Sequence, residues 1–333
     1  MNDNYEVLIV NRIARNFFTD KKEGVKHFFK DLFIFFILFS FFACSKTEIR
    51  KSGKGLLVDE VRGEVVRTDQ NRSVASIRVT SAGSSIQDFS DLQLNDVIEV
   101  EVQPGDFNLL TKKNIFKGRL QSSFSPKNGE IFLLHSVWPD EFRERIRFNN
   151  VNRLLRRDTL TMGTDSIRSV GDQVPPFAIY DQDGDIITTD YLDGSVTILN
   201  FIFTRCSEPD MCPAATLKMK KLQELVEKTK IPYVKFLSIT LDPLFDTPGV
   251  LKSYARGYNL EESNFRLGTA GKSVIDDLTR QFGIMRKKEP DTPLDHTMRT
   301  IVINSRRQIV YQVPGKGWSV EDFLSRLQGQ QSI

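Results

Sequence analysis

Residues 196–220 read VTILNFIFTRCSEPDMCPAATLKMK, and this stretch decides the fold. Its beginning, Val196 to Phe203, is an apolar run with the length and composition of a buried β-strand. Two cysteines follow in a polar segment, and a helix is predicted from Ala214 to Lys228 because apolar residues recur there at helical spacing. This order of strand, loop and helix predicts an α/β sheet, in which functional residues gather at the carboxyl ends of the strands.

The sequence that follows continues this alternation of strands and helices. A strand is predicted from Val234 to Thr240, and Pro248 stands at the favoured first position of the next helix. The remaining predicted elements are a helix at about 272–282, a hairpin formed by 300–303 and 308–313, and a helix at 320–327. We therefore predict one α/β domain with crossover connections over residues 170–330.

The sequence before this domain has a different pattern. Between residues 56 and 138, five short segments have β-strand character; one of them, Asp96 to Val102, alternates strictly and ends at Pro104. Five short strands separated by turn signals predict a small all-β barrel of the OB-like type. A charge-rich stretch with apolar residues at helical spacing predicts a helical linker over 139–169.

The N-terminus contains the apolar run LFIFFILFSFFA at residues 32–43. A membrane-spanning helix needs about 20 residues, whereas a secretory signal needs only about 7–15. Because Ala43 before Cys44 resembles a bacterial lipoprotein cleavage site, we predict a signal peptide at 1–43, a lipid on Cys44 and a polar tether at 44–55. An uncleaved anchor and a buried helix are the alternatives, and acidic residues before the run leave open a later start of translation.

This N-terminal pattern predicts the location of the mature protein. We expect it to be exported and lipid-anchored to a bacterial cell membrane, facing the periplasm or the exterior. Thiols in such compartments tend to oxidise unless they are kept reduced or bind a metal. Lys plus Arg (46) nearly balance Asp plus Glu (43), and the basic residues are scattered, so we predict no nucleic-acid partner.

Only three cysteines and three histidines are available for thiol or soft-metal chemistry. His27 would be removed with the signal peptide, and His135 belongs to the predicted barrel, which leaves Cys206, Cys212 and His296. Spacing alone leaves three possibilities open for the two cysteines: a structural disulfide, a redox pair or a metal site. The positive end of the helix that follows them predicts a lowered pKa for at least one thiol.

The donor types favour one metal if the three residues form a metal site. Two thiolates suit Cu(I), and an imidazole is a compatible third ligand. Structural zinc usually takes four ligands, and no fourth cysteine or histidine remains in this half of the chain. The neighbouring Met211 is interpreted as a packing residue.

Further motifs appear in a fixed order around these residues. They are NFIFTRC at 200–206, CP at 212–213, SITLDP at 238–243, DTP at 246–248 and DHT at 295–297. In this order, and over roughly 171–327, they resemble the SCO/SenC family of thioredoxin-fold copper proteins.

The resemblance implies a thioredoxin fold and copper as the cofactor, as Cu(I) with Cu(II) as a further state, bound by Cys206, Cys212 and His296. It also implies assistance in assembling the copper site of cytochrome c oxidase, and hence the copper-site subunit of that enzyme or another cuproprotein as partner. Many members have three residues between the cysteines, whereas this chain has five, as some bacterial members do. Asp242 matches an acidic position near the family's site; a role in capping the turn before Thr247 is the alternative.

The leading interpretation is therefore a metallochaperone, with other thiol chemistries as alternatives. In a thiol–disulfide oxidoreductase, Cys206 and Cys212 would act as a redox pair. His296 separates the two functions, because ligation needs it and dithiol exchange does not. Thr204 and Arg205, which precede Cys206, leave a peroxidase-like enzyme as a minor alternative.

The predicted barrel is interpreted as a spacer or docking module. Small copper-binding barrels use Met, His and Trp ligands, yet no methionine occurs between Met1 and Met162. His135 and Trp138 remain, and Trp138 is predicted to pack within the barrel. We therefore predict no metal site there.

Overall fold

The computed structural model describes residues 56–87, 92–125, 129–287 and 294–329, which all belong to one compact unit. The predicted signal peptide, the lipidated Cys44 and the tether lie outside these residues. Within them, no helix is long and apolar enough to cross a membrane.

The N-terminal part of this unit is a closed five-stranded barrel. Its strands are β1 (Glu60–Asp69), β2 (Val74–Ala82), β3 (Val97–Val102), β4 (Ile115–Ser125) and β5 (Gly129–Pro139). They close in the order β1-β2-β3-β5-β4, with β1 pairing with β4 and all pairs antiparallel except β3 with β5. Inward-facing apolar side chains such as Ile77, Val79 and Leu134 form a separate core. The prediction of a small barrel is confirmed.

Two helical segments interrupt the barrel strands. They are a single turn, α1 (Ser84–Gln87), and α2 (Pro104–Lys112). The sequence pattern places the end of a strand at Pro104 but predicts no helix after it. The helix starts there because proline suits the first helical position, where an N–H would have no partner within the helix.

A long helix, α3 (Phe142–Thr161), follows the barrel and leads to a seven-stranded sheet. The strands of the sheet are β6 (Ala178–Asp181), β7 (Ile186–Thr188), β8 (Val196–Ile202), β9 (Val234–Thr240), β10 (Phe265–Thr269), β13 (Arg299–Ile303) and β14 (Ile309–Pro314). A two-stranded ribbon consists of β11 (Arg286–Lys287) and β12 (Asp295–His296). The other helices are a 3-10 turn (Thr189–Leu192), α4 (Cys212–Lys228), α5 (Pro248–Gly257), α6 (Lys272–Gln281) and α7 (Val320–Gly329).

The sheet has the order β14-β13-β8-β9-β10-β6-β7, with β8, β9 and β10 parallel at its centre. Helices pack on this sheet, and the resulting core includes Phe201, Phe236 and Phe282, which are fully or almost fully buried. The prediction of an α/β domain is confirmed. The strands β6, β7 and β10 were not predicted, because runs of three to five residues between helices carry too little periodicity.

The barrel packs on the α/β domain where α2 crosses α5. Gly105 and Gly249 meet at the crossing, and a Cβ added to either residue would clash with the backbone of the other helix. Asp106 is buried beside them at 2% exposure. At the rim, Asp183 accepts from both Lys112 (2.7 Å) and Lys252 (3.0 Å). The barrel is therefore held against a helix that begins beside the cysteine loop.

Candidate metal centre

The predicted site residues come from three places that the sheet brings together. Strand β8 ends at Ile202, Cys206 lies in the loop that follows, and Cys212 is the first residue of α4. His296 lies 84 positions further along, in the short strand β12. Because β12 leads into β13, which pairs with β8, His296 returns to the cysteine loop. The Sγ atoms and the imidazole nitrogen all lie within 4.8 Å of one another.

The position of His296 depends on the ribbon of β11 and β12. Arg286 pairs with His296 in this ribbon, and its guanidinium donates to the carbonyl of Leu241 at 2.5 Å and to Asp276. The Thr297 N–H donates to the carbonyl of Met285 at 2.9 Å. These bonds attach the ribbon to the end of β9 and so hold the histidine at the carboxyl edge of the sheet.

The three donors differ in their access to solvent. Cys212 is fully buried, His296 is 7% exposed and Cys206 is partly exposed. Both cysteines are free thiols. A cleft of about 150 Å³, lined by Phe203, Cys206, Met211 and His296 among others, leads from the surface to Cys206 and His296. A small ion thus has a path to a largely desolvated set of donors.

Hydrogen bonding fixes which nitrogen of His296 faces the thiols. Its Nδ1 lies 3.0 Å from the carbonyl oxygen of Thr297, which can only accept, so we assign the proton to Nδ1. The unprotonated Nε2 then lies 3.4 Å from Sγ of Cys212. Burial lowers the pKa of His296, which favours the neutral ring. Histidines that ligate metals commonly donate their second ring N–H in this way.

The electrostatics of Cys212 differ from the expectation based on the helix dipole. Burial raises the pKa of this thiol strongly, and the nearby Cys206 raises it further, while a hydrogen bond with the backbone of Phe203 only partly opposes them. The pKa of Cys212 is therefore not lowered, although the helix start predicts a lowered pKa for at least one of the two thiols. A desolvated thiolate gains most from a cation within bonding distance, because little else nearby compensates its charge.

The acidic residues near the site support its loops instead of touching the sulfur atoms. Asp242 accepts from the guanidinium of Arg205 at 2.5 Å. Asp246, which is fully buried, accepts from the Thr204 N–H at 3.1 Å, from the Thr204 hydroxyl, and from the Thr240 hydroxyl at 2.5 Å. A role near the site was predicted for Asp242 but not for Asp246. The signal was present, because Asp246 directly precedes the Thr-Pro start of a helix.

Two further predicted roles depend on where side chains point. Thr204 is hydrogen-bonded to Asp246 and Arg205 to Asp242. Neither side chain is therefore turned toward Cys206, as a peroxidase would require. Trp138 packs edge-on against Tyr180 of the α/β domain at 6.1 Å between ring centroids, so the prediction that it packs within the barrel is wrong.

The barrel and the α/β domain also differ in metal donors. Within the described ranges, Cys206, Cys212 and His296 form the one cluster of three histidine, cysteine or acidic donors close enough to share an ion. His135 lies in the barrel, with its Nδ1 3.0 Å from the Ser136 hydroxyl.

Comparison with known proteins places this site in a family. The SCO1/SenC family model matches residues 166–330. A SCO2-like protein of Rickettsia conorii is 32% identical over 147 residues, which cover 42% of this chain and 67% of the relative. A SCO1 protein homolog of Bacillus subtilis is 32% identical over 127 residues, 37% of this chain and 64% of the relative.

Among solved structures, Arabidopsis thaliana ScoI with copper bound matches at 23% identity and a TM-score of 0.43. That match covers 49% of this chain and 99% of the ScoI chain. The family model covers the part of the chain that carries both cysteines and the histidine. Together with the Rickettsia relative, which is matched over two thirds of its length, it shows that this protein belongs to the SCO1/SenC family.

Proposed function

We propose that this protein is a copper-binding thiol metallochaperone that assists assembly of the copper site of cytochrome c oxidase. The observation that carries the proposal is the convergence of two free thiols and an unprotonated imidazole nitrogen within 4.8 Å. The partner that family membership implies is the copper-site subunit of the oxidase or another cuproprotein.

The donor set fits Cu(I) better than zinc. Soft thiolates with one imidazole suit Cu(I), whereas structural zinc sites are almost always completed by a fourth protein ligand. In the part of the chain that the structure describes, no fourth histidine, cysteine or carboxylate joins the cluster. A three-coordinate ion with one partly exposed ligand, Cys206, remains accessible to an acceptor protein, as a copper carrier requires.

The test is a Cu(I) titration of the reduced protein beside two histidine variants. Wild type should bind one Cu(I) per chain, His296→Ala should bind much more weakly, and His135→Ala should match wild type because His135 lies in the barrel. Equal binding by wild type and His296→Ala would refute the three-ligand site.

The difference in exposure between the cysteines supports a second candidate, a thiol–disulfide oxidoreductase. Cys206, the accessible thiol, would attack a disulfide of the target as the thiolate and release one target sulfur as a thiol. The buried Cys212 would then attack Sγ of Cys206 and release the second target thiol, leaving this protein oxidised and its target reduced.

The His296→Ala variant distinguishes copper transfer from disulfide exchange. If exchange is the main function, the reduced variant should reduce a model disulfide at the wild-type rate even though copper binding is weakened. If copper transfer is the main function, delivery to an apo-oxidase subunit should fall together with copper affinity.

The proposal also covers the location of the protein and the role of its barrel. We infer export and attachment of a lipid to Cys44, on the basis of the residue 32–43 run and the Ala43-Cys44 junction. The strand order β1-β2-β3-β5-β4, with a helix between β3 and β4, supports an OB-like barrel that serves as a docking module or spacer. Labelling with a fatty acid that is lost in Cys44→Ser tests the anchor.

A further inference from the structure

The long helix α3 has an outer face with an unusual composition. It contains six arginines and two acidic residues. Its buried side chains, Phe148, Asn152 and Leu155, point into the α/β domain at helical spacing. The opposite face exposes large apolar side chains, with Phe142 at 64%, Leu160 at 68% and smaller fractions of Ile146 and Leu154. A helix whose outer face is both apolar and basic has the composition of a surface-binding helix.

The positive charge of this outer face is not cancelled within the described residues. Both acidic residues of the helix are bound by cations from other segments: Glu144 by Lys113 at 3.3 Å and Asp158 by Arg168 at 2.5 Å. Two of the six arginines are likewise paired, Arg145 with Asp140 and Arg156 with Asp277, each at 2.6 Å. The other four point to solvent without a carboxylate partner in those ranges; they are Arg143, Arg147, Arg153 and Arg157.

The start of the helix lies close to the start of the barrel. Asp140, just before α3, binds Arg62 of β1 as well as Arg145, and Arg62 is only six residues from the first described residue. A tether over 44–55 reaches at most about 40 Å when fully extended. A lipid on Cys44 would therefore keep this end of α3 within reach of the membrane surface.

We propose that the outer face of α3 binds the surface of an anionic phospholipid bilayer. The exposed apolar side chains, led by Phe142 and Leu160, enter the boundary between headgroups and acyl chains, and the four arginines without a carboxylate partner contact the anionic headgroups. The proposal rests on the membrane location proposed above. It adds a second contact that fixes the orientation of the domain, which attachment at a single point does not.

The experiment measures arginine accessibility on the full chain reconstituted into vesicles. Phenylglyoxal modification, read by peptide mass spectrometry, is compared between neutral phosphatidylcholine vesicles and vesicles containing about one-third phosphatidylglycerol. Arg143, Arg147 and Arg157 should react about fivefold more slowly on the anionic vesicles, the change that corresponds to about 1 kcal/mol per arginine at an anionic surface. Arg67, exposed on the barrel, should react equally on both.

A variant pair tests the apolar part of the contact. Changing Phe142 and Leu160 to Ser should abolish the protection, whereas Leu217→Ser, which alters a 55% exposed residue of α4, should preserve it. Equal modification on neutral and anionic vesicles would overturn the proposal. Protection that is already present in detergent would also overturn it, because the helix would then be covered by protein.

Flotation of the vesicles separates this proposal from the proposed anchor. A chain that floats with both lipids but shows no protection retains the anchor and loses the helix contact. A chain that floats only with anionic lipid supports the helix contact and refutes the anchor. A chain that floats with neither refutes both.

Discussion

The barrel and the α/β domain are both well packed, but they differ in what their sequences place at strand ends. Barrel strands close on one another and enclose an apolar core, and its one histidine, His135, contacts a serine. In the α/β domain, parallel strands end at a common edge, where Cys206, Cys212 and His296 meet. The candidate metal ligands thus lie where strand ends converge. The barrel carries no such cluster in the described residues and contacts the α/β domain through α5.

The largest effect should follow from removing a sulfur ligand. Cys206→Ala and Cys212→Ala should each abolish stoichiometric Cu(I) binding, because the two remaining donors no longer form the three-ligand set. Both positions should tolerate alanine without unfolding, which far-ultraviolet circular dichroism checks. Tight binding of one Cu(I) by either variant would refute the three-ligand site, and with it the contrast between the α/β domain and the barrel.

A pH-dependent effect is expected at the contact between the two regions. Burial raises the pKa of Asp106 to about 7, and N–H groups of Val137 and Ser136 only partly oppose this. The unfolded residue titrates near 3.9. The stabilisation from the protonated form is therefore complete below about pH 4 and is lost as the pH rises through 7, by up to roughly 4 kcal/mol.

Asp106→Asn should remove this pH dependence. Its free energy of unfolding should match wild type near pH 4 and exceed it at pH 8, as measured by urea unfolding at several pH values. Asp165→Asn, at an exposed position, provides the control and should follow the wild-type curve. Parallel curves for wild type and Asp106→Asn would contradict the raised pKa.

A smaller effect is expected from crowding the helix crossing. Gly249→Ala places a methyl group against Asp106 and the backbone of Gly105, and overpacking of this kind costs about 1–3 kcal/mol. Gly257→Ala, in the same helix, meets nothing within 4 Å and should be neutral or slightly stabilising. Thermal unfolding distinguishes the two; equal melting temperatures would mean that the barrel does not depend on this crossing.

The smallest effect should come from the residues that support the cysteine loop. Asp246→Asn weakens the hydrogen bonds from Thr204 and Thr240, and a change in such a supporting residue typically lowers metal affinity about tenfold or more. Asp242→Asn breaks only the pair with Arg205, whose side chain is about half exposed, and should cost less. Competition with a Cu(I) chelator measures both, and a reversed order would assign the larger role to Asp242.

The sequence contained enough information for the strand-loop-helix unit and for the barrel, because both depend on local patterns. The position of His296 did not follow from periodicity, since 84 residues separate it from Cys212 and only the pairing of β13 with β8 brings them together. The ordered SCO/SenC-like motifs, which include DHT at 295–297, identified His296 instead. The raised pKa of Cys212 was not foreseen for a related reason, because the helix dipole is visible in sequence whereas the burial of Cys212 is not.

The helix α2 and the contact at Gly105 were also missed. Proline followed by glycine ordinarily marks a turn, and the sequence gives no sign that another helix will pack on that glycine. Contacts between distant segments are thus what a single sequence conceals, and here they determine both the position of the barrel and the supports of the site.

The closure of the barrel has a consequence for how neighbouring copies of this protein meet at high concentration. Exposed edge strands pair readily with edges of neighbouring molecules, and a closed barrel has none. The α/β sheet does have two edges, but β7 contains only three residues and β14 ends in Pro314, which lacks a backbone donor. Neighbouring copies therefore find little backbone to pair with, so crowding brings them into contact without joining their sheets.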